Sequence, residues 1–175
     1  MNHSDDVIRA QKGNREAFMR LIKASEPSMY RVAKSFLKSD TECADAIQET
    51  ILKAFQAIRS IKEPDYFKTW LIRILINVCQ RMLKMNKQVI PMAELAERSY
   101  ENEMQQDLEL WEAVRSLEEE LRVIVTLFYI EDVPLKDIAL MLDIPEGTVK
   151  SRLYRAREKL VCFLSVEDER SVMYE

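Results

Sequence analysis

Residues 134–160, PLKDIALMLDIPEGTVKSRLYRAREKL, constrain the fold more than any other stretch of the chain. Pro134 and Pro145 each suit the first turn of a helix, where a missing N–H goes unnoticed. The first helix directs Leu135, Ile138, Ala139 and Leu142 inward. Ile144 plugs the turn, and Val149, Leu153 and Ala156 face inward from the second helix. Small Ala139 lets the two helices cross closely. Asp143 holds the turn position often given to glycine, and Asp tolerates a left-handed backbone better than most residues. This is a helix-turn-helix pattern, whose second helix enters the DNA major groove. The helical reading extends to the whole chain, because 175 residues contain only 2 glycines and 5 prolines against 32% charged residues. The expected class is all-α.

Charge distribution agrees with a nucleic-acid role, although the net charge is −4. Lys150, Arg152, Arg155, Arg157 and Lys159 crowd one stretch against a lone Glu158. Lys68, Arg73, Arg81, Lys84 and Lys87 form a second basic stretch without an acid. Between them runs an acidic segment, Glu94, Glu97, Glu101, Glu103, Asp107, Glu109, Glu112 and Glu118 to Glu120. Local fields decide binding over a Debye length of roughly 10 Å, so the average charge says little. The outward positions of the second helix are Lys150, Ser151, Arg152, Tyr154, Arg155, Arg157 and Lys159. Arginine can fork two hydrogen bonds to guanine, and lysine or arginine can neutralise phosphate. Backbone N–H groups from Glu146 to Thr148 suit a phosphate at the helix N-terminus.

The rest of the chain divides by periodicity. Asn14 caps a helix from Arg15 to about Ser25 that buries Phe18, Leu21 and Ile22, and Pro27 marks a break. A second helix follows with Met29, Val32, Ala33 and Phe36 on one face. Ser39 and Glu42 have capping-box spacing. Beyond them Ala44, Ile47, Ile51, Phe55 and Ile58 form one stripe, with Asp45, Gln48, Glu49 and Lys53 opposite. A short loop spans Arg59 to Asp65. Phe67, Trp70, Leu71, Ile74, Leu75 and Val78 then define a long helix that Pro91 closes. The acidic segment between Met92 and Asp107 has the weak pattern of a linker. A second helical group opens near Leu108, with Leu110, Trp111, Val114 and Leu117. Leu121, Ile124, Val125 and Phe128 continue its stripe to about Ile130.

Several functions are disfavoured. Cys43, Cys79 and Cys162 are widely separated and lack metal-ligand spacing, so each is expected to be a small buried or half-buried apolar side chain. The only histidine, His3, falls in a terminus expected to fray. Without histidines, a phosphate loop or clustered thiols, an enzyme lacks its parts, and neither metal nor cofactor is expected. The apolar stretches fall short of the ~18 residues of a membrane span, and the N-terminus, with Asp5 and Asp6, is unlike a secretory signal. A cytoplasmic protein is the expectation.

The stretch GTVKSRLYRAREKL, Gly147 to Leu160, resembles region 4 of the extracytoplasmic-function sigma factors. The preceding LEEELRVIVTLFYIEDVPLKDIALML resembles the earlier helices of that region. DAIQETILKAF, Asp45 to Phe55, resembles region 2.2, and YFKTWLIRILINVC, Tyr66 to Cys79, resembles regions 2.3 and 2.4. The resemblance implies two small helical domains, a region 2 domain at 1–91 and a region 4 domain at 108–165, on a flexible acidic linker at 92–107. It implies docking of Asp45, Gln48 and Glu49 on the beta-prime clamp helices of core RNA polymerase, with region 4 near the beta flap. It implies capture of an unstacked minus-10 base by the loop Ser60 to Asp65 with Lys62. Asn77 matches a family asparagine near that element, Arg73 and Arg81 flank it to hold phosphate, and Tyr66 is the stacking candidate, while Phe67 and Trp70 are expected in the core. Where many relatives carry an Asp and a denser arginine run, this chain has Gln80, Arg81, Lys84 and Lys87. Thr148, Lys150, Ser151, Arg152, Tyr154, Arg155, Arg157 and Lys159 would meet the minus-35 element. The acidic linker would thread a basic polymerase channel, with Glu101, Glu103 and Asp107 contributing. An anti-sigma factor, often membrane-bound in this family, is a further implied partner. A helix-turn-helix regulator acting alone is the rival; it leaves the likeness at Asp45 to Cys79 unexplained.

Overall fold

The computed structural model describes the backbone of residues 3–86 and 108–172, and the side chains of residues 4–85 and 110–163. The chain divides into two compact units, Met1–Arg98 and Ser99–Glu175. The acidic segment 92–107, including Glu101, Glu103 and Asp107, and Pro91 lie outside the described residues. All described regular structure is helical.

The described residues of the N-terminal unit form four α-helices: α1 (His3–Gln11), α2 (Arg15–Phe36), α3 (Asp40–Ala57) and α4 (Phe67–Asn86). Contrary to a frayed terminus, α1 is packed, with Val7 fully buried and Ala10 nearly so. Asp6 of α1 accepts two hydrogen bonds from the Arg20 guanidinium, at 2.5 and 3.0 Å, which ties α1 to α2. Asn14 caps α2 as expected, its Oδ1 accepting from the Ala17 N–H at 2.9 Å. Pro27 does not break that helix, which runs unbroken through it. Both Pro27 and Lys23, whose carbonyl loses its helical donor, are exposed, so the freed carbonyl lies on the solvent side of the helix. The flanking turns are meanwhile held by burial of Leu21, Ile22, Met29 and Val32.

Ser39 caps α3, accepting from the Glu42 N–H at 3.1 Å. The buried face of α3 is Cys43, Ala46, Thr50 and Ala54, about one position round from the expected stripe. Ala44 is exposed and Phe55 half exposed, while Ile47 and Ile51 sit at the margin. Small side chains let α3 approach α2 and α4 closely, and that close approach outweighs the pull of the larger aliphatics. Helix α4 largely follows expectation, with Phe67, Leu71, Leu75 and Val78 buried, joined by Ile72, Ile76 and Cys79, while Ile74 is half-buried. Trp70, expected in the core, is half-buried and packs beside Phe67 with ring centroids 6.0 Å apart.

Burial pushes the Cys43 thiol up to about 11 and the Cys79 thiol up to about 12. Cys162, expected to be at least half-buried, is exposed, lying beyond Leu160, which packs on the core of the C-terminal unit. An alkylating reagent at pH 8 should therefore modify one thiol quickly and two only after unfolding. Mass spectrometry of a labelling time course checks this, and rapid double or triple labelling of the native protein would contradict the packing.

The C-terminal unit contains α5 (Leu108–Ser116), α6 (Glu119–Val125), α7 (Leu135–Leu142) and α8 (Glu146–Val172). A single π-helical turn, Thr126–Ile130, follows α6. The wider turn shifts the side-chain register, so Leu127 is fully buried and Phe128, the expected core residue, is only half-buried. Leu110, another expected stripe residue, is 44% exposed. Val114, Leu117, Leu121, Val125 and Ala156 form one apolar cluster, with Leu160 packed against it. In α7, Ile138 and Met141 are buried, while Leu135, Ala139 and Leu142 are half-buried. The backbone of α8 continues through the tail to Val172, beyond the expected limit of the region at residue 165.

Candidate functional site

In the N-terminal unit, Asp45 and Gln48 are exposed on α3 and Glu49 is half-buried beside them. Their spacing, three and four residues apart, places all three on one side of the helix. Leu52, 65% exposed, continues that side, four residues after Gln48 and three after Glu49. The signal in the sequence was its spacing from the two polar residues. Glu49 accepts from Lys53 at 2.9 Å and also pairs with Arg81 of α4. The Lys53 hydrogen bond leads in holding the Glu49 carboxyl below the usual carboxylate range, against partial desolvation and with help from Arg81. Two residues expected to meet different partners, Glu49 and Arg81, are thus joined to one another.

The loop between α3 and α4 contains two 3₁₀ turns, Ile58–Ser60 and Pro64–Tyr66. Lys62, Glu63, Asp65 and Tyr66 are exposed between and on these turns, while Ile58 and Ile61 are buried. Tyr66 is 59% exposed, and Phe67 next to it is 5% exposed, which separates a solvent-facing ring from a core one. Along α4, Arg73, Asn77 and Arg81 are all exposed, and their four-residue steps make one polar stripe opposite the core.

In the C-terminal unit the helix-turn-helix geometry is complete. Asp143 ends α7 in the left-handed conformation, φ 53° and ψ 48°. The Ile144 N–H donates to the Ala139 carbonyl at 3.1 Å, closing the end of the helix. Val149, Leu153 and Ala156 are buried, so α8 turns its opposite face outward. Lys150, Ser151, Tyr154, Arg155, Arg157 and Lys159 are exposed on α8, and Thr148 is half-buried in its first turn. Lys150 bonds Glu146 at 2.8 Å, and Lys159 bonds Glu118 at 2.7 Å. Such exposed pairs contribute little to stability.

Arg152 departs from the outward position expected of it. Its side chain is 19% exposed and binds Glu120 of α6 at 2.7 Å. Its Nε is buried with no hydrogen-bond partner. The reason is spacing: Arg152 lies three residues after Val149 and four before Ala156, both fully buried. Among the described residues no helix is long and apolar enough to cross a membrane, and no cluster of His, Cys, Asp and Glu could hold a metal.

An all-helical unit followed by a helix-turn-helix unit with a basic outer face is the build of a DNA-reading transcription protein. Residues 21–89 match the family Sigma-70 region 2, and residues 107–160 match Sigma-70, region 4. The chain is 31% identical over 172 residues to the ECF RNA polymerase sigma-E factor of Haemophilus influenzae, covering 88% of this chain and 90% of that one. It is 30% identical, with the same coverage, to the ECF RNA polymerase sigma-E factor of Escherichia coli. Among solved structures, its fold is similar to CnrH in complex with the cytosolic domain of CnrY, at a TM-score of 0.64 and 22% identity, covering 94% of this chain and 97% of that one. It is also similar to the sigma factor RpoE in complex with the anti-sigma factor NepR from Bartonella quintana, at a TM-score of 0.69 and 24% identity, covering 85% and 97%. The chain belongs to the extracytoplasmic-function group of sigma-70 factors. It is accordingly a transcription initiation factor.

Proposed function

We propose that this sigma factor joins core RNA polymerase through the outer face of α3, opens the minus-10 element with the α3–α4 loop and α4, and reads the minus-35 element with α8. The region 2 domain is taken as 1–91, the linker as 92–107 and the region 4 domain as 108–165. The observation that carries the reading is the pairing, in one chain and in order, of a region 2 match with an exposed acidic-amide face and a region 4 match with an exposed basic face.

Asp45, Gln48 and Glu49, with Leu52 beside them, suit a partner surface rich in arginine, the beta-prime clamp helices, since charged hydrogen bonds to carboxylates are the strong ones. Lys62 and Tyr66 are offered on the loop for an extruded base, Tyr66 by stacking and Lys62 by charge. Asn77 can donate and accept at a base edge, with Arg73 and Arg81 on phosphates to either side. Arg81 reaches phosphate once its surface pair with Glu49 is exchanged, and surface pairs of this kind hold at most about 1 kcal/mol. On α8, Lys150, Ser151, Tyr154 and Arg155 face base edges and phosphates, with Thr148 at the helix start and Arg157 and Lys159 further along. Arg152 is assigned to holding α8 against α6 through Glu120.

The work is proposed to be cytoplasmic and non-catalytic. The acidic linker is proposed to thread a basic channel of the polymerase, with region 4 beside the beta flap. Two similar folds were solved with CnrY or with the anti-sigma factor NepR, which motivates an anti-sigma partner here.

Arg155→Ala should weaken binding to minus-35 duplex by about 1–3 kcal/mol and relax preference at one base pair. Arg152→Ala should leave the base preference intact and lower the stability of the C-terminal unit instead. Competition binding of the holoenzyme to duplexes varied one base pair at a time, with thermal melting of the free protein, separates the two. A change in base preference from Arg152→Ala and none from Arg155→Ala would overturn the assignment. For the reading as a whole, the direct test is binding of the chain to core polymerase; promoter duplex bound tightly by the chain alone, without polymerase affinity, would favour a stand-alone regulator.

A further inference from the structure

We propose that α1 is a brace for the base-capture loop and that Gln11 is its positioning residue, an inference that rests on the loop reading given above. The Gln11 side-chain amide donates to two carbonyls on the entry side of the loop, Ile61 at 2.8 Å and Ile58 at 3.2 Å. At the exit side, the Ser4 hydroxyl donates to the Asp65 carboxylate. One helix therefore grips the loop at both ends, and Lys62 and Glu63 stand exposed between the two grips.

The brace is itself fixed. Its own Val7 and Ala10 are buried, and the Asp6–Arg20 pair fastens it to α2. The loop's own anchors are the buried side chains of Ile58 and Ile61. Its internal hydrogen bonds are short-range: the Ile61 N–H to the Ile58 carbonyl, the Ser60 hydroxyl to the Ala57 carbonyl and the Tyr66 N–H to the Glu63 carbonyl. A primary amide suits the task, because its two N–H groups can serve two carbonyl oxygens at once and it carries no charge to be desolvated. Holding the loop in place before a base arrives reduces the ordering cost of capture, and that saving is felt only in steps that use the loop.

The test uses full-length protein in holoenzyme, on a promoter whose transcript requires it. Single abasic replacements are placed along the non-template strand of the minus-10 element, and open-complex formation is measured for wild type, Gln11→Met, Gln11→Glu and the loop reference Lys62→Ala. Core affinity, minus-35 dependence and thermal midpoint are followed in parallel. Gln11→Met keeps the length and loses both donors; Gln11→Glu also sets a negative charge against two carbonyl oxygens. With wild type, abasic replacement at the captured position should cost strongly. Both Gln11 variants should shrink that cost by roughly tenfold, as Lys62→Ala does, with core affinity and minus-35 dependence unchanged. If a Gln11 variant fails to fold, Ser4→Ala, at the exposed second grip, carries the same readout and should shrink the same cost.

A profile changed by Lys62→Ala and untouched by Gln11→Met and Ser4→Ala would overturn the brace and leave the loop reading standing. A wild-type profile with no captured position, unaltered by Lys62→Ala, would overturn both. Losses spread evenly over all positions, tracking a lowered thermal midpoint, would show Gln11 to be merely structural and would also overturn the proposal.

Discussion

Asp45→Lys combined with Glu49→Lys should weaken binding to core RNA polymerase by at least ~100-fold, with the protein still folded. The two carboxylates sit on the outward side of α3, so the substitution leaves the buried face of Cys43, Ala46, Thr50 and Ala54 untouched. If the docking surface of the polymerase is basic, reversal sets like charges against one another, and juxtapositions of that kind cost several kcal/mol. The internal cost is small by comparison. Glu49→Lys would face Lys53 and Arg81, but both partners are about half exposed and exposed pairs contribute at most about 1 kcal/mol each. The expected pattern is therefore loss of polymerase affinity with a circular dichroism spectrum and melting midpoint close to wild type. Competition binding to core polymerase checks it. Retained affinity in a folded variant would show that α3 is not the docking helix.

Leu121→Ala should strongly destabilise the C-terminal unit. Leu121 is 2% exposed and lies in the cluster of Val114, Leu117, Val125 and Ala156 that joins α5, α6 and α8. Removing a buried leucine of this kind costs about 2–5 kcal/mol, from lost transfer energy and the cavity left behind. A domain of this size has roughly 5–15 kcal/mol in all, and the midpoint should fall by roughly 10–40 °C. Leu140→Ala, at a position 58% exposed, serves as the control and should shift stability little. Hydrogen exchange resolves the effect by element: α6 and α8 should lose protection while α2 and α4 keep theirs. Equal protection in wild type and Leu121→Ala would mean that this cluster does not hold the unit together. Transcription should lose its minus-35 dependence while polymerase binding survives.

The parts of this structure most legible in the sequence were those decided locally. Asn14 and Ser39 cap helices because a short side-chain oxygen reaches the free N–H groups of the first turn. Asp143 takes up the left-handed turn that its type tolerates, and the two faces of α4 follow directly from its periodicity. The departures arise where tertiary packing outweighs local pattern. α1 has too few apolar residues to announce itself, and is held by Asp6–Arg20 and by the loop it grips. Pro27 would end an isolated helix, yet here buried turns on both sides carry the chain through. In α3, weight given to large aliphatics turned the expected stripe away from the small residues that permit close approach. The π turn at Thr126–Ile130 moved Leu127 inward, which no regular period anticipates. Arg152 was misplaced by its chemistry: its type suggested DNA, while its spacing from Val149 and Ala156 already placed it beside the core. Apart from Arg152 and the half-buried Glu49 and Thr148, the candidate site was legible as a set of exposed positions, because polar side chains opposite an apolar stripe face solvent. The link between Glu49 and Arg81, residues far apart in the chain, could not be read from either helix alone.

Transcription by bacterial core polymerase from candidate promoters, with and without the wild-type chain and the Asp45→Lys, Glu49→Lys variant, tests the central claim most directly. Discrete promoter-dependent transcripts should appear with wild type and vanish with the variant. The account would be contradicted if wild type raised no transcript and bound no polymerase while gripping promoter duplex unaided.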